Sequence, residues 1–435
     1  MRKILTILFC SATVLTSCGV YTKYQAPAVE DADTVQTKVP GWREYFSDPL
    51  LQELIDTALA RNTSLAISGL RLRQADENLK ASKLAYIPSV FFTPNGGISV
   101  SSQRQTSYSY QLPVSLDWNL GAPGTLFARK HQAQARRIQA NDDMNAIRNE
   151  IISQVAASYY MLQMLDEQIG ILSKTIEKWS ESLEIQKELM KNGKVFYSSV
   201  AQMESKLLDA RSALVQNQAD IFTLERTICL LTAQPLVPVR RSAAGQYPDP
   251  EILDNGVSFS QLRARPDVRA AERDLEITYY LSTEARSAFY PSINLSGDFG
   301  WPMIVRSAIS LTQPIFAQGT LKCRLNISKM DEEIAQRQFN QTLLEAATEV
   351  SQALADYKLY KEKENIFARQ ETVQSKAYAI VDDLSRNGKA NYLEVIKAQE
   401  KLLDAQIDGC TSRYKAREAA IMLFKALSSS DLECQ

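Results

Sequence analysis

The sequence predicts a mainly α-helical protein with a transmembrane β portion, arranged as two tandem repeats, each a β-hairpin plus long coiled-coil helices. Three observations carry this expectation. Residues 189–210 align with residues 384–405 at an offset of 195, and 11 of those 22 positions are identical, among them Asn192/Asn387, Gly193/Gly388, Lys194/Lys389 and Tyr197/Tyr392; self-similarity at a fixed spacing marks a repeated structural unit. From Tyr108 to Leu120 apolar and polar residues alternate without a break, the period of a strand with one oily and one wet face. Residues 320–387 contain neither proline nor glycine and 125–192 contain only Gly170, so each reads as one helix about 100 Å long at ~1.5 Å per residue.

Composition narrows the function classes. The chain has 435 residues with 49 Lys+Arg against 50 Asp+Glu, a formal net charge of -1, so no strong field points at nucleic acid. The single histidine, His131, excludes paired-histidine metal sites and nearly every catalytic triad. Placed between Lys130 and Gln132 near a helix start, it reads as a solvated surface residue. Asp382-Asp383 and Glu332-Glu333 are adjacent on helices and point different ways, which suits solvated faces better than acid/base dyads. The chain is therefore read as a non-enzyme without cofactor or metal. Beyond the first residues no apolar run approaches the roughly 18 needed for a spanning helix, which leaves a β-barrel open.

Residues 1–17 read as a signal peptide: Arg2 and Lys3 precede an apolar stretch that ends in Leu15-Thr16-Ser17-Cys18-Gly19. That ending resembles a bacterial lipobox, which makes Cys18 the candidate lipidation site and new N-terminus. An ordinary signal with an incidental cysteine is the alternative. Cys229, Cys323, Cys410 and Cys434 are scattered and form neither a disulfide framework nor a CxxC pair. Residues 18–47 read as a lipid-anchored tether, with Pro27, Pro40 and Gly41 among polar residues.

The first repeat covers 48–235. Asp48-Pro49 is a cap and first-turn pair that opens a helix. Residues 64–86 continue helically until Pro88 forces an extended chain. A β-hairpin over 88–120, a long helix over 125–192 and a return helix follow. A linker, 236–257, leads to the second repeat, 258–428, with helix 266–289, β-hairpin 291–316, long helix 320–387 and return helix 390–427. Residues 429–435 form a tail. The alternating strands could belong to a soluble sandwich, but lengths near 10 residues and aromatics at strand ends fit transmembrane strands. Two hairpins give four strands, which cannot close a barrel. Open edges are forbidden in lipid, so the barrel must be shared among chains. Leu165, Ile169, Leu172, Ile176, Trp179 and Leu183 step by 4 and 3, and Ile366, Val373, Ala377, Ile380 and Leu384 do so in part. That is a coiled-coil seam, so these helices pack lengthwise on neighbours.

These features together carry a resemblance. The lipobox, Trp42…Phe46-Ser47-Asp48-Pro49-Leu50, Arg265-Pro266-Asp267-Val268-Arg269-Ala270-Ala271-Glu272 and Tyr392…Ala398-Gln399…Leu402-Leu403-Asp404-Ala405-Gln406 resemble outer-membrane efflux lipoproteins of the TolC type, in the branch serving resistance-nodulation-division pumps. The resemblance implies a homotrimer: a 12-strand outer-membrane β-barrel continued by a 12-helix periplasmic α-barrel. It implies a passive duct that extends into the periplasm and receives drugs, toxic compounds or metal ions from a periplasmic adaptor and an inner-membrane pump. It places adaptor contacts at the two helix-hairpin tips, Gly193-Lys194 and Gly388-Lys389. It places the periplasmic gate at Glu394 and Lys397, where family members commonly carry two acids and this chain has one acid and one base. A type I protein secretion duct, or a trimeric lipid-anchored stalk, would use the same parts.

Overall fold

The computed structural model describes residues 21–26, 41–100, 106–250, 259–301, 304–387, 389–390 and 392–427. In chain order its elements are α1 Trp42–Tyr45, α2 Pro49–Arg61, α3 Thr63–Leu84, β1 Ser89–Phe92, β2 Asn95–Val100, β3 Thr106–Gly121, α4 Thr125–Lys191 and α5 Tyr197–Leu231. There follow α6 Phe259–Arg263, α7 Pro266–Ser287, β4 Ser292–Trp301, β5 Ile304–Thr312, α8 Thr320–Arg386 and α9 Tyr392–Leu427. The helices α4 and α8 are each 67 residues long. Cys18, Gly388 and the tail 429–435 lie outside the described residues. The chain divides into two compact units, Met1–Glu30 with Ser68–Met144 and Pro266–Leu343, and Asp31–Ile67 with Asn145–Arg265 and Leu344–Gln435.

The first unit is built on an antiparallel sheet of order β1-β3-β4-β5, with β2 also paired to β3. Five strands are described where two hairpins predict four, because the first arm breaks at Thr93-Pro94. Proline has no N–H to give the ladder, and Thr93 makes the last bond of this stretch, its N–H donating to the Pro113 carbonyl at 3.2 Å. β1 and β2 therefore lie in tandem along one side of β3. Register puts the apolar residues on one face: Val114 stands opposite Phe92 and Phe299, Leu112 opposite Trp301, Trp118 opposite Leu295, and Leu295 opposite Ile309. The other face pairs Asp117 with Ser89 and Ser296, and Ser115 with Asp298; Phe91 is an aromatic exception on this polar face.

The segment 21–26 is seated on the helices of the same unit. Tyr24 donates its N–H to the Tyr280 hydroxyl at 3.3 Å, the Thr22 and Tyr279 hydroxyls are 2.7 Å apart, and Tyr21 meets Phe127 edge-on with centroids at 5.7 Å. His131 belongs to this cluster, which corrects its reading as a solvated surface residue. It is half-buried, its ring 4.1 Å from Phe127 and 5.0 Å from Tyr280, with Nδ1 3.0 Å from the Phe127 carbonyl oxygen. Position i+4 on α4 brings the ring back over Phe127, a contact that neighbours in sequence do not reveal.

The second unit has two cores. In one, Trp42 and Phe46 join Leu51, Ile55 and Ala58 of α2, Ile152, Val155 and Tyr159 of α4, and Ile421 and Phe424 of α9. Asp48 caps α2 as expected, its side chain accepting from the Leu50 N–H at 3.0 Å. In the other, Leu172, Trp179 and Leu183 of α4 pack on Val200, Met203, Leu207 and Ala210 of α5 and on Ile396 of α9. The α4 seam is thus filled within one chain. The α8 seam is not: Ile366, Val373 and Ile380 are each more than half exposed.

Candidate functional site

At the first hairpin tip the chain must reverse within the five residues between Lys191 and Tyr197. Gly193 does so at φ 69°, a left-handed conformation that costs a residue without Cβ nothing. Its N–H donates to the Met190 carbonyl at 3.0 Å, and the Lys194 N–H to the Leu189 carbonyl at 2.9 Å, the pair of bonds that closes a helix C-terminus. The second tip repeats the outer bond, Lys389 N–H to the Leu384 carbonyl at 2.8 Å. In both tips an asparagine side chain donates back to the preceding turn, Asn192 to Glu188 and Asn387 to Asp383, each at 2.9 Å. With the backbone so satisfied, Lys194 and Lys389 project into solvent. Phe196 and Tyr197 are also strongly exposed beside the first tip. Sequence reasoning missed both, although an aromatic pair three and four residues after a helix-ending glycine was the available signal.

Glu394 and Lys397 lie in the first two turns of α9, both exposed, with the buried pair Val395 and Ile396 between them. Among the described residues neither makes an ion pair, so the intrahelical Glu394–Lys397 contact allowed by their spacing is not formed. They head an exposed stripe that continues through Lys401, Asp404 and Asp408 in steps of three and four. Behind the stripe, Glu400 pairs with Lys206 of α5 at 2.6 Å, which raises the pKa of the lysine. Burial, and then the neighbouring Glu400 and Asp408, hold the Asp404 carboxyl above its ordinary value.

The Arg-Pro-Asp-Val-Arg run is structural. Arg265, buried, pairs with Glu349 at 2.7 Å and donates to the Ala426 carbonyl at 3.1 Å near the end of α9. Arg269 faces the buried Asp142 of α4 at 3.4 Å. Among the described residues no group of three or more His, Cys, Asp or Glu is placed to hold a metal ion, and no helix is long and apolar enough to cross a membrane.

Comparison with known proteins follows the same outline. A family model described as outer membrane efflux protein matches residues 54–233 and 260–429. The antibiotic efflux pump outer membrane protein ArpC of Pseudomonas putida is 26% identical, over 98% of this chain and 96% of its own length. The cation efflux system protein CusC of Escherichia coli is 24% identical over 96% and 98% respectively. A crystal structure of CusC superposes with a TM-score of 0.86 at 21% identity, covering 95% of this chain and all, 100%, of that one. The CmeC outer membrane channel of Campylobacter jejuni does so with a TM-score of 0.85 at 19% identity, covering 94% of each.

Proposed function

The chain belongs to the outer membrane efflux protein family, and on that premise we propose that it is the outer-membrane exit duct of a tripartite efflux pump. It conducts drugs, toxic compounds or metal ions passively outward from an inner-membrane pump and a periplasmic adaptor. The observation that carries this reading is the sheet: a continuous apolar face bounded by two edges, β1/β2 and β5, that pair with nothing among the described residues. Such a face is stable in hydrocarbon and costly in water. Such edges are tolerable in hydrocarbon only when another copy closes them. Four strand widths per chain then make a 12-strand barrel from three chains.

The helices support the same assembly. Leu208, Val215 and Phe222 on α5, and Ile366, Val373 and Ile380 on α8, recur every seven residues and are each more than half exposed in one chain. Heptad-spaced apolar side chains are the seam of a coiled coil, and neighbouring copies in a 12-helix α-barrel supply the missing partners. Lys194 and Lys389 at the tips, the first joined by the exposed Phe196 and Tyr197, form the adaptor contact. Cys18 carries the lipid, and Glu394 with Lys397 forms the periplasmic gate. The names of the relatives, which refer to antibiotic and cation efflux, favour efflux over protein secretion.

The test is a native mass of the purified protein together with planar-bilayer recording. A three-chain mass with an open conductance is expected; a non-conducting monomer would sink the reading, and a non-conducting trimer would indicate a stalk. Intact mass of one chain beginning at Cys18 with acyl chains checks the anchor. Lys194→Glu with Lys389→Glu is expected to weaken adaptor binding while trimers still assemble, and unchanged affinity at low salt would remove the tips from the contact.

A further inference from the structure

All helix-strand junctions of the first unit lie at one end of the sheet. Register requires this: Ser292 stands opposite Thr312, Ile293 opposite Gly121, and Ser89 opposite Asp117. The residues at these junctions are apolar and open to solvent. Leu84, Tyr86, Ile87, Phe289, Ile315 and Phe316 are all exposed, Ile315 completely so. The seated N-terminal segment adds Tyr21, which is exposed as well. This collar continues the apolar face of the sheet past the ends of its strands.

One helical turn beyond the collar the surface changes to positive charge. Lys83 and Arg286 occupy the last turns of α3 and α7, and Lys130, Lys322 and Arg324 the first two turns of α4 and α8. None of these five has an ion-pair partner among the described residues; Arg129, by contrast, is neutralised by Glu284 at 2.8 Å. Cations at a helix N-terminus oppose the helix dipole. Both α4 and α8 lack an acid in the first turn, so local helix stability does not account for the charges there. An apolar collar with aromatic rings, backed at once by unpaired bases, matches the boundary between acyl chains and anionic headgroups.

Resting on the duct reading, we propose that this junction is a binding surface for anionic phospholipid headgroups of the periplasm-facing leaflet, with Lys83, Arg286, Lys322 and Arg324 as the phosphate-contacting residues. Cys18 precedes Tyr21 by three residues, which can span at most about 10 Å, so the lipid proposed on Cys18 would enter the bilayer beside the same collar.

Native mass spectrometry of delipidated full-length trimers, titrated with phosphatidylglycerol and separately with phosphatidylethanolamine, tests this. The wild type is expected to retain phosphatidylglycerol at least about tenfold more tightly, since each basic residue near an anionic surface contributes roughly a fivefold factor. Lys83→Gln, Arg286→Gln, Lys322→Gln and Arg324→Gln combined are expected to bring the preference within about twofold, with trimer mass and conductance retained. Lys322→Gln with Arg324→Gln alone should lower it partially, which keeps the test decisive if the fourfold variant does not assemble. Lys174→Gln with Lys178→Gln, in the other unit, should leave it intact. Equal binding of the two lipids by wild-type trimers, or a preference that survives the junction substitutions, overturns the proposal while leaving the duct standing. Loss of trimers or of conductance in the wild type would instead count against the duct.

Discussion

Gly300 stands directly opposite Pro113 in the β3–β4 pair, so close that a Cβ added to Gly300 would lie 2.9 Å from the Pro113 Cα and 3.0 Å from the Leu112 carbonyl oxygen. The neighbouring contact is backbone, which cannot swing aside as a flexible side chain would. Gly300→Val is therefore expected to part the two hairpins at this point, at a cost on the order of 1–3 kcal/mol from overpacking, and to lower the yield of folded trimers. Gly297→Ala, whose Cβ would meet nothing nearer than 3.6 Å, is the matched control and should assemble normally. Equal trimer yield for both variants on unheated gels would show that β3 and β4 can separate here without penalty.

Asp48 makes the second prediction. One carboxylate oxygen caps α2, and the other accepts from the buried Tyr159 hydroxyl at 2.7 Å and from the Ser242 hydroxyl, while the Ser242 N–H donates to Tyr159 at 3.0 Å. Burial, reinforced by the bond to Asp48, pushes the Tyr159 phenol up to about 12. Asp48→Ala removes a cap worth ~1 kcal/mol and strands buried hydroxyls at ~1–3 kcal/mol. The sum, about 2–4 kcal/mol, should appear as a clear fall in the thermal midpoint of the helical signal. Asp48→Asn keeps the cap and should lose less.

The starts of elements were legible because their signals are local. Asp48-Pro49 sets the first turn of α2, Pro266 sets that of α7, and the alternation from Tyr108 to Leu120 sets the two faces of β3. What the sequence did not disclose depends on partners distant in the chain. The seams of α4 and α8 look alike as patterns, yet one is buried and the other open. Arg265 resembles a family marker and proves to clamp Glu349 and the end of α9. His131 has two charged or polar neighbours in sequence and two aromatic neighbours in space. Of the candidate site, the turn at Gly193 was legible, since only a left-handed residue ends a helix that way; the exposure of Phe196 and Tyr197 was not.

Gln186 takes the next seam position of α4 after Leu183, before Met190, and is fully buried with no partner for either amide atom among the described residues. A buried amide without hydrogen bonds costs ~1–3 kcal/mol. Gln186→Leu restores the apolar repeat at nearly the same volume and should raise the thermal midpoint, by the equivalent of about 1–2 kcal/mol. A lower midpoint would mean that the amide finds a partner in the assembled duct.

Asp404 sits one turn from both Glu400 and Asp408. Each like-charge pair at this spacing is destabilising by ~0.2–0.5 kcal/mol, and exposure to solvent keeps the sum below about 1 kcal/mol. Because the folded state holds this proton more tightly than the unfolded chain does, the protonated form favours folding, and the benefit is lost as pH rises through the raised folded pKa. Asp404→Asn should accordingly be more stable than wild type at neutral pH and equal to it below about pH 4, the unfolded value. Paired melting curves across that range check the sign.

The proposed gate at the head of the α9 stripe carries the sharpest prediction. Glu394 and Lys397 share a face and leave each other unpaired, although a helical pair three apart would gain about 0.2–0.5 kcal/mol by closing. Unpaired charges of opposite sign on one exposed face are poised for partners on another chain. In the proposed gate, three copies of each meet near the axis of the trimeric duct just past the second tip, and Glu394 of one chain bonds Lys397 of the next. Each such pair is exposed and weak alone, but three act on one aperture, and opening must break all of them together. Adaptor binding that splays the hairpins would supply that work. Glu394→Ala with Lys397→Ala is therefore expected to raise single-channel conductance and admit large antibiotics in cells lacking the pump. Glu394→Lys alone, which places six like charges at the aperture, should open it further through repulsion. Wild-type conductance in the double alanine variant, with trimers intact, would place the closure on other residues of the helices.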